Sequence, residues 1–91
     1  MQKTKRCYIT HSTTNLHKHH IFEGTANRAK SEAYGCWVWL RADFHNGADY
    51  GVHGKDGKEL KNMLKAECQR KFEAIYGHER FIEVFGKSYK E

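Results

Sequence analysis

Proline is absent from the 91 residues, which leaves the turns to glycine and asparagine. Cysteine is scarce: Cys7, Cys36 and Cys68 are the only three, an odd number at wide spacing. That excludes a disulfide framework, and the lack of any Cys-x-x-Cys pair argues against a cysteine-rich structural zinc site. No apolar run approaches the roughly 18 residues that a transmembrane helix needs. The opening MQKTKRCYIT carries no hydrophobic signal-peptide core. The expectation is a cytoplasmic protein with no membrane partner. Internal repeats, low-complexity linkers and composition breaks are also missing, so a single domain over residues 1–91 is expected.

What is present suits a small soluble domain with a modest core: 38% of residues are hydrophobic and 30% are charged. Lys plus Arg number 16 against 11 Asp plus Glu, and the resulting +5 favours a polyanionic partner. Histidine is the outlier, with seven residues.

Along the chain, KRCYIT (5–10) reads as a short strand and HSTTN (11–15) as turn chemistry. LHKHHIF (16–22) reads as a second strand. Gly24 to Gly35 is a polar connection with room for one or two helical turns. CWVWL (36–40) is the strongest strand signal, being aromatic and β-branched. Arg41 to Gly54 reads as a glycine-bearing loop. From about Asp56 to Tyr76 the spacing of Leu60, Leu64, Cys68, Phe72 and Ile75, joined by Met63 and Tyr76, predicts a long amphipathic helix. Gly77 ends it, and a short helix with Phe81, Ile82 and Phe85 inward runs to Gly86. The fold class is α+β.

The segment His17-Lys18-His19-His20-Ile21 carries the chemistry. Neighbouring strand residues point to opposite faces, so His19 and His20 cannot do the same job. One can bind a metal while the other faces a phosphate. His45 and His53 bracket the glycine-bearing loop and can complete a divalent site. Imidazole suits zinc and nickel, with magnesium or manganese open where oxygen ligands join. His17 shares the strand side of His19 and can act as a partner behind the ligands.

HHIFEGTANR, then SEAYGCWVWL, then FHNGADYGVH, in that order, resemble the HNH endonucleases, the ββα-metal or His-Me finger family. The likeness is closest to small phage and prophage members, and covers about residues 7–89. It implies a ββα-metal finger over about residues 16–60, with a C-terminal helical part over about 56–89. It further implies hydrolysis of DNA phosphodiester bonds with one divalent ion. Carried over by position, His20 before Ile21 is the general base. His19, His45 and His53 are metal ligands, and Asn46 is an alternative ligand or an orienting group. An imidazole with a free pKa near 6.5 can take a proton from water at neutral pH. The chain departs from the family at its zinc knuckle: Thr10, Arg41 and Phe44 stand where relatives often carry cysteines. Only Cys7 remains, so replacing it with serine is expected to cost little, with packing around Tyr8, Trp37 and Phe44, or an oligomer, taking over.

Arg28 is a candidate clamp for the scissile phosphate, and Arg28, Arg41, Lys58 and Lys61 are candidate DNA contacts. Glu23 reads as a surface carboxylate, and Ser31 and Glu32 as caps or flanks of a helical turn. Trp37 and Trp39 read as one core indole and one exposed indole. The partners expected are DNA and one Mg²⁺, Mn²⁺, Ni²⁺ or Zn²⁺ ion, with a homodimer open. The alternative to an enzyme is a catalytically weak, HNH-derived DNA-binding or regulatory protein of a phage.

Overall fold

Two short strands frame everything else. The structure, a computed structural model, describes Gln2 and residues 4–90. Strand β1 is Leu16–His20 and β2 is Trp37–Arg41, paired antiparallel with Leu16 opposite Arg41 and His20 opposite Trp37. Directly paired residues share a face. The inner face therefore holds His17, His19, Val38 and Leu40, and the outer face Leu16, Lys18, His20, Trp37, Trp39 and Arg41. Val38 and Leu40 are fully buried. Both indoles lie on the outer face, half-buried, with their rings 5.6 Å apart and nearly perpendicular. This corrects the split into one core and one exposed tryptophan: residues two apart on a strand must share a side.

Helix α1, Thr25–Ala33, links the strands and is longer than the one or two turns expected. Ser31 and Glu32 lie in its last turn, as expected of residues flanking a helical turn, and the Glu32 carbonyl accepts the Gly35 N–H at 3.4 Å. Ser31 is fully buried, its Oγ donating to the Phe22 carbonyl at 3.4 Å, and its carbonyl accepts the Cys36 N–H at 2.7 Å. Helix α2, Lys58–Tyr76, buries Leu64, Cys68, Gln69 and Phe72. Ile75 is 75% exposed, and Met63 and Tyr76 are also outside the buried stripe. The last turn of α2 faces the returning chain rather than the sheet, so the buried arc turns towards Gln69 and leaves Ile75 outside. Helix α3, His78–Phe85, then packs back. The corner between α2 and α3 is Gly77 at φ +89°, a conformation open to glycine at little cost. Phe22, Phe72, Phe81 and Phe85 pack ring to ring, with Phe22–Phe85 centroids 4.3 Å apart. Gln69 ties the C-terminal segment to α2, accepting the Tyr89 N–H at 2.6 Å. The architecture is thus α+β: one two-stranded antiparallel sheet packed with helices. No helix among the described residues is long and apolar enough to cross a membrane.

The expected strand at 5–10 is a set of turns lying along β2. Its few bonds serve the free edge of that strand. Tyr8 N–H donates to the Trp39 carbonyl at 2.8 Å, the Gln2 Oε1 accepts from Trp39 N–H at 2.6 Å, and the Cys7 Sγ accepts from Arg41 N–H at 3.3 Å. Cys7 is 1% exposed and also accepts from the Thr10 N–H at 3.4 Å. Burial pushes this thiol up, but the bonds from Thr10, Arg41 and Ile9 outweigh burial and hold it below its ordinary value. Cys7 therefore does more than the sequence suggests. Cys7→Ala strips the acceptor from two half-buried N–H groups, and should cost about 1–3 kcal/mol in urea unfolding. Cys7→Ser, which keeps an acceptor, should lose less than Cys7→Ala. Equal stability of wild type and Cys7→Ala would remove this corner as a support of the fold.

Candidate metal centre

β1 presents His19 inward, where it is 2% exposed. His45 arrives on the π-helical turn Asp43–Gly47 that follows β2. His53 comes from the loop beyond. That loop is pinned to the turn: Val52 N–H donates to the Phe44 carbonyl at 2.8 Å, and His53 N–H to the His45 carbonyl at 3.0 Å. Closing it needs glycine at 57, where a Cβ would run into the Gly51 carbonyl oxygen. All three therefore come from β1 and from the turn and loop between β2 and α2.

Each of His19, His45 and His53 offers one ring nitrogen, and these atoms all lie within 4.8 Å of one another. Ring centroids are 5.4 Å apart for His19–His45 and for His19–His53, and 4.8 Å for His45–His53. Bonds of about 2.0–2.1 Å to a tetrahedral ion put ligand nitrogens roughly 3.4 Å apart. The cluster is within small side-chain rotations of that spacing. The His19 Nε2 is buried and has no hydrogen-bond partner among the described residues. An orphaned buried nitrogen costs stability, and a cation at this point would satisfy it. These three histidines could hold a metal ion.

Electrostatics prepare the same state. Burial, then the neighbouring His45 and His53, lower the His19 pKa to about 3. Burial, then His53 and His17, lower that of His45 to about 4. Both imidazoles are neutral at physiological pH, the form that a metal requires. His17 stands behind the cluster, its Nδ1 3.1 Å from the Nδ1 of His45. A hydrogen bond there leaves the Nε2 of His45 for the centre, the arrangement common behind metal-bound histidines.

His20 lies on the other face of β1, yet it lines the same cleft of about 580 Å³ as His19, His45, Asn46, His53 and Arg28. Its Nε2 is 2.7 Å from a carboxylate oxygen of Glu32. The other oxygen accepts from Lys18 at 2.7 Å. Lys18, then His20, holds the Glu32 carboxyl below its ordinary value. Sequence reasoning missed Glu32 as the partner of His20. The signal was available: read as a helix, ANRAKSE places Arg28 and Glu32 four apart, on one face.

The remaining candidates divide. Asn46 is exposed at the cleft, with no hydrogen bond from its side chain among the described residues. Glu23 borders the cleft and pairs with Lys61 at 2.9 Å, which puts Lys61 at the rim. Lys58 is exposed on the first turn of α2. Arg41 is apart, on the outer face, bonded through two nitrogens to Asp43 at 2.7 and 2.8 Å.

Two outcomes follow from the buried imidazoles. An unfolded histidine titrates near 6.5, whereas His19 and His45 stay neutral to about 3 and 4. Over that interval the unfolded chain binds more protons, so folding stability is present above about pH 6.5 and is lost as pH falls. Metal-free melts should show the midpoint dropping already between pH 7 and 5, above the carboxylate range, and His19→Gln should flatten that slope; a flat wild-type profile would contradict the burial of neutral histidines. Added Zn²⁺ or Ni²⁺ at pH 7 should raise the melting temperature by mass action. Single changes of His19, His45 or His53 to alanine should each remove most of the rise, and a rise of undiminished size in all three would place the ion elsewhere. No family model, curated protein or solved structure matches this chain.

Proposed function

We propose that this protein is a metal-dependent DNA endonuclease of the HNH, ββα-metal type. The observation that carries the reading is one cleft holding a three-histidine cluster, a separate histidine braced by a carboxylate, and an arginine. In this reading β1, β2 and the helical turn after β2 form the finger, and His19, His45 and His53 hold one divalent ion. Bound there, such an ion offsets charge on the phosphate and on the departing 3′ oxygen.

The chain's own residues do the rest. With its Nε2 engaged by Glu32, His20 has Nδ1 left to take a proton from the attacking water. The Glu32 carboxylate fixes the ring's orientation and stabilises the imidazolium that results. Arg28, one helical turn before Glu32 on α1, meets the scissile phosphate from across the cleft. Lys58 and Lys61, at the start of α2, add phosphate contacts without reading sequence. A cytoplasmic, phage- or prophage-borne enzyme is the setting that the resemblance implies.

A plasmid-nicking assay with Mg²⁺, Mn²⁺, Ni²⁺ and Zn²⁺ tests this. His20→Ala should slow nicking about 10²–10⁴-fold and leave the metal-induced rise in melting temperature intact. His19→Ala should abolish both. Wild-type rates from His20→Ala would remove it as the base. DNA binding without nicking, under every metal, would favour a regulatory DNA-binding protein.

A further inference from the structure

The outer face of the sheet is not accounted for by the cleft chemistry. Trp37 and Trp39 stand on it side by side, and neither belongs to the hydrophobic core. An ammonium sits over each ring: Lys18 Nζ is 4.1 Å from the Trp37 centroid, and Lys5 Nζ is 4.7 Å from that of Trp39. Trp37 is paired directly with His20, so their Cβ atoms are roughly 5 Å apart on the same face. Lys18 borders both the indoles and the cleft.

We propose that this face is a stacking platform for the unpaired bases of single-stranded DNA, which it delivers to the cleft beside His20. The proposal rests on the nuclease reading for the identity of the strand and for what happens to it at His20, but not for the stacking itself.

Charge decides the class of partner. An apolar protein surface docking here would bury two ammonium groups, and Lys5 has no carboxylate partner among the described residues. A polyanion meets the unpaired Lys5 with phosphate, while Lys18 has Glu32. The indoles then decide the form of nucleic acid. Duplex bases hide their faces in the stack, whereas unpaired bases offer them to aromatic side chains. An exposed ammonium over a ring shifts an equilibrium only about 2–5-fold, whereas a stacked base contributes about 5–150-fold. A base therefore displaces the ammonium from the ring: that of Lys5 turns to the neighbouring phosphate, and that of Lys18 keeps Glu32.

The test needs no substitution to begin, because Trp37 and Trp39 are the chain's only tryptophans. Intrinsic emission is followed while the intact, metal-free protein is titrated with an oligo-dT strand, a matched duplex and an abasic strand of equal length. The dT strand should quench emission and bind at least about 5-fold tighter than the other two. Trp37→Ala and Trp39→Ala should each weaken dT binding about 5–150-fold, measured by anisotropy of a labelled strand, while Trp37→Phe retains most of it. The metal-induced melting shift, unchanged in each variant, serves as the control for folding. Equal affinity for dT and abasic strands, or for strand and duplex, would overturn the proposal. So would an emission change that depends on protein concentration alone, which would assign the face to a second copy of the chain. Loss of the metal shift in wild type would instead strike the nuclease reading and leave the stacking result standing.

Discussion

The pairing of His19 with Val38 is the constraint on which the site depends. A strand alternates its side chains, and a slip of one residue in the register would exchange its faces. With His19 opposite the fully buried Val38, the ring of His19 must enter the interior. His20 must then emerge opposite Trp37. One peptide unit thus separates a dry imidazole from a wetter one. The dry one meets His45 and His53, and the other meets Glu32. Shifting β1 by one residue would bury Lys18 and His20 beside Val38 and dissolve both arrangements together.

Burying His19 has a cost, which the metal-free protein carries. Its Nε2 lacks a partner among the described residues, a defect usually associated with about 1–3 kcal/mol. Nearby groups do not relieve it. Glu23 is turned towards Lys61, and His17 is used by His45. The loop bearing His53 adds a second constraint, since it folds tightly enough to exclude a Cβ at Gly57. A molecule of 91 residues has little stability to spare. Three imidazoles converging at that cost form a cluster that could hold a cation, whereas aliphatic side chains would pack there with no unsatisfied atom.

What could be read from the sequence follows the strength of local periodicity. CWVWL and the Leu64–Cys68–Phe72 spacing carry strong single-period signals, and both elements formed where expected. The convergence of His19, His45 and His53 was legible in part, through their bracketing of a glycine-rich loop. The turn at Asp43–Gly47 was not, because a five-residue π-helical turn has no period to detect. Nor was the partner of His20: Glu32 meets it only because α1 folds back across twelve residues of chain. KRCYIT has strand composition, but its backbone turns at Cys7 so that the His11 N–H reaches the Cys7 carbonyl at 2.9 Å. Tertiary bonds to β2 overrode propensity there.

The corner at Cys7 shows how such a site is held without a cysteine cluster. The backbone N–H groups of Thr10 and Arg41 each donate to the Sγ of Cys7. One thiol thus ties the chain before β1 to the end of β2 through two hydrogen bonds. The restraint then passes along the chain. Arg41 grips Asp43 with two nitrogens, and Asp43 accepts from the Tyr50 hydroxyl at 2.5 Å. His45 lies between Asp43 and Tyr50, on the turn that these bonds close. Packing adds less at this corner, because Trp37 faces the outer side, and of Tyr8, Trp37 and Phe44 only Tyr8 and Phe44 pack against the core. The position of His45 is therefore set by polar bonds radiating from Cys7 and Arg41. Loosening them would release His45 without any change to the other residues that line the cleft.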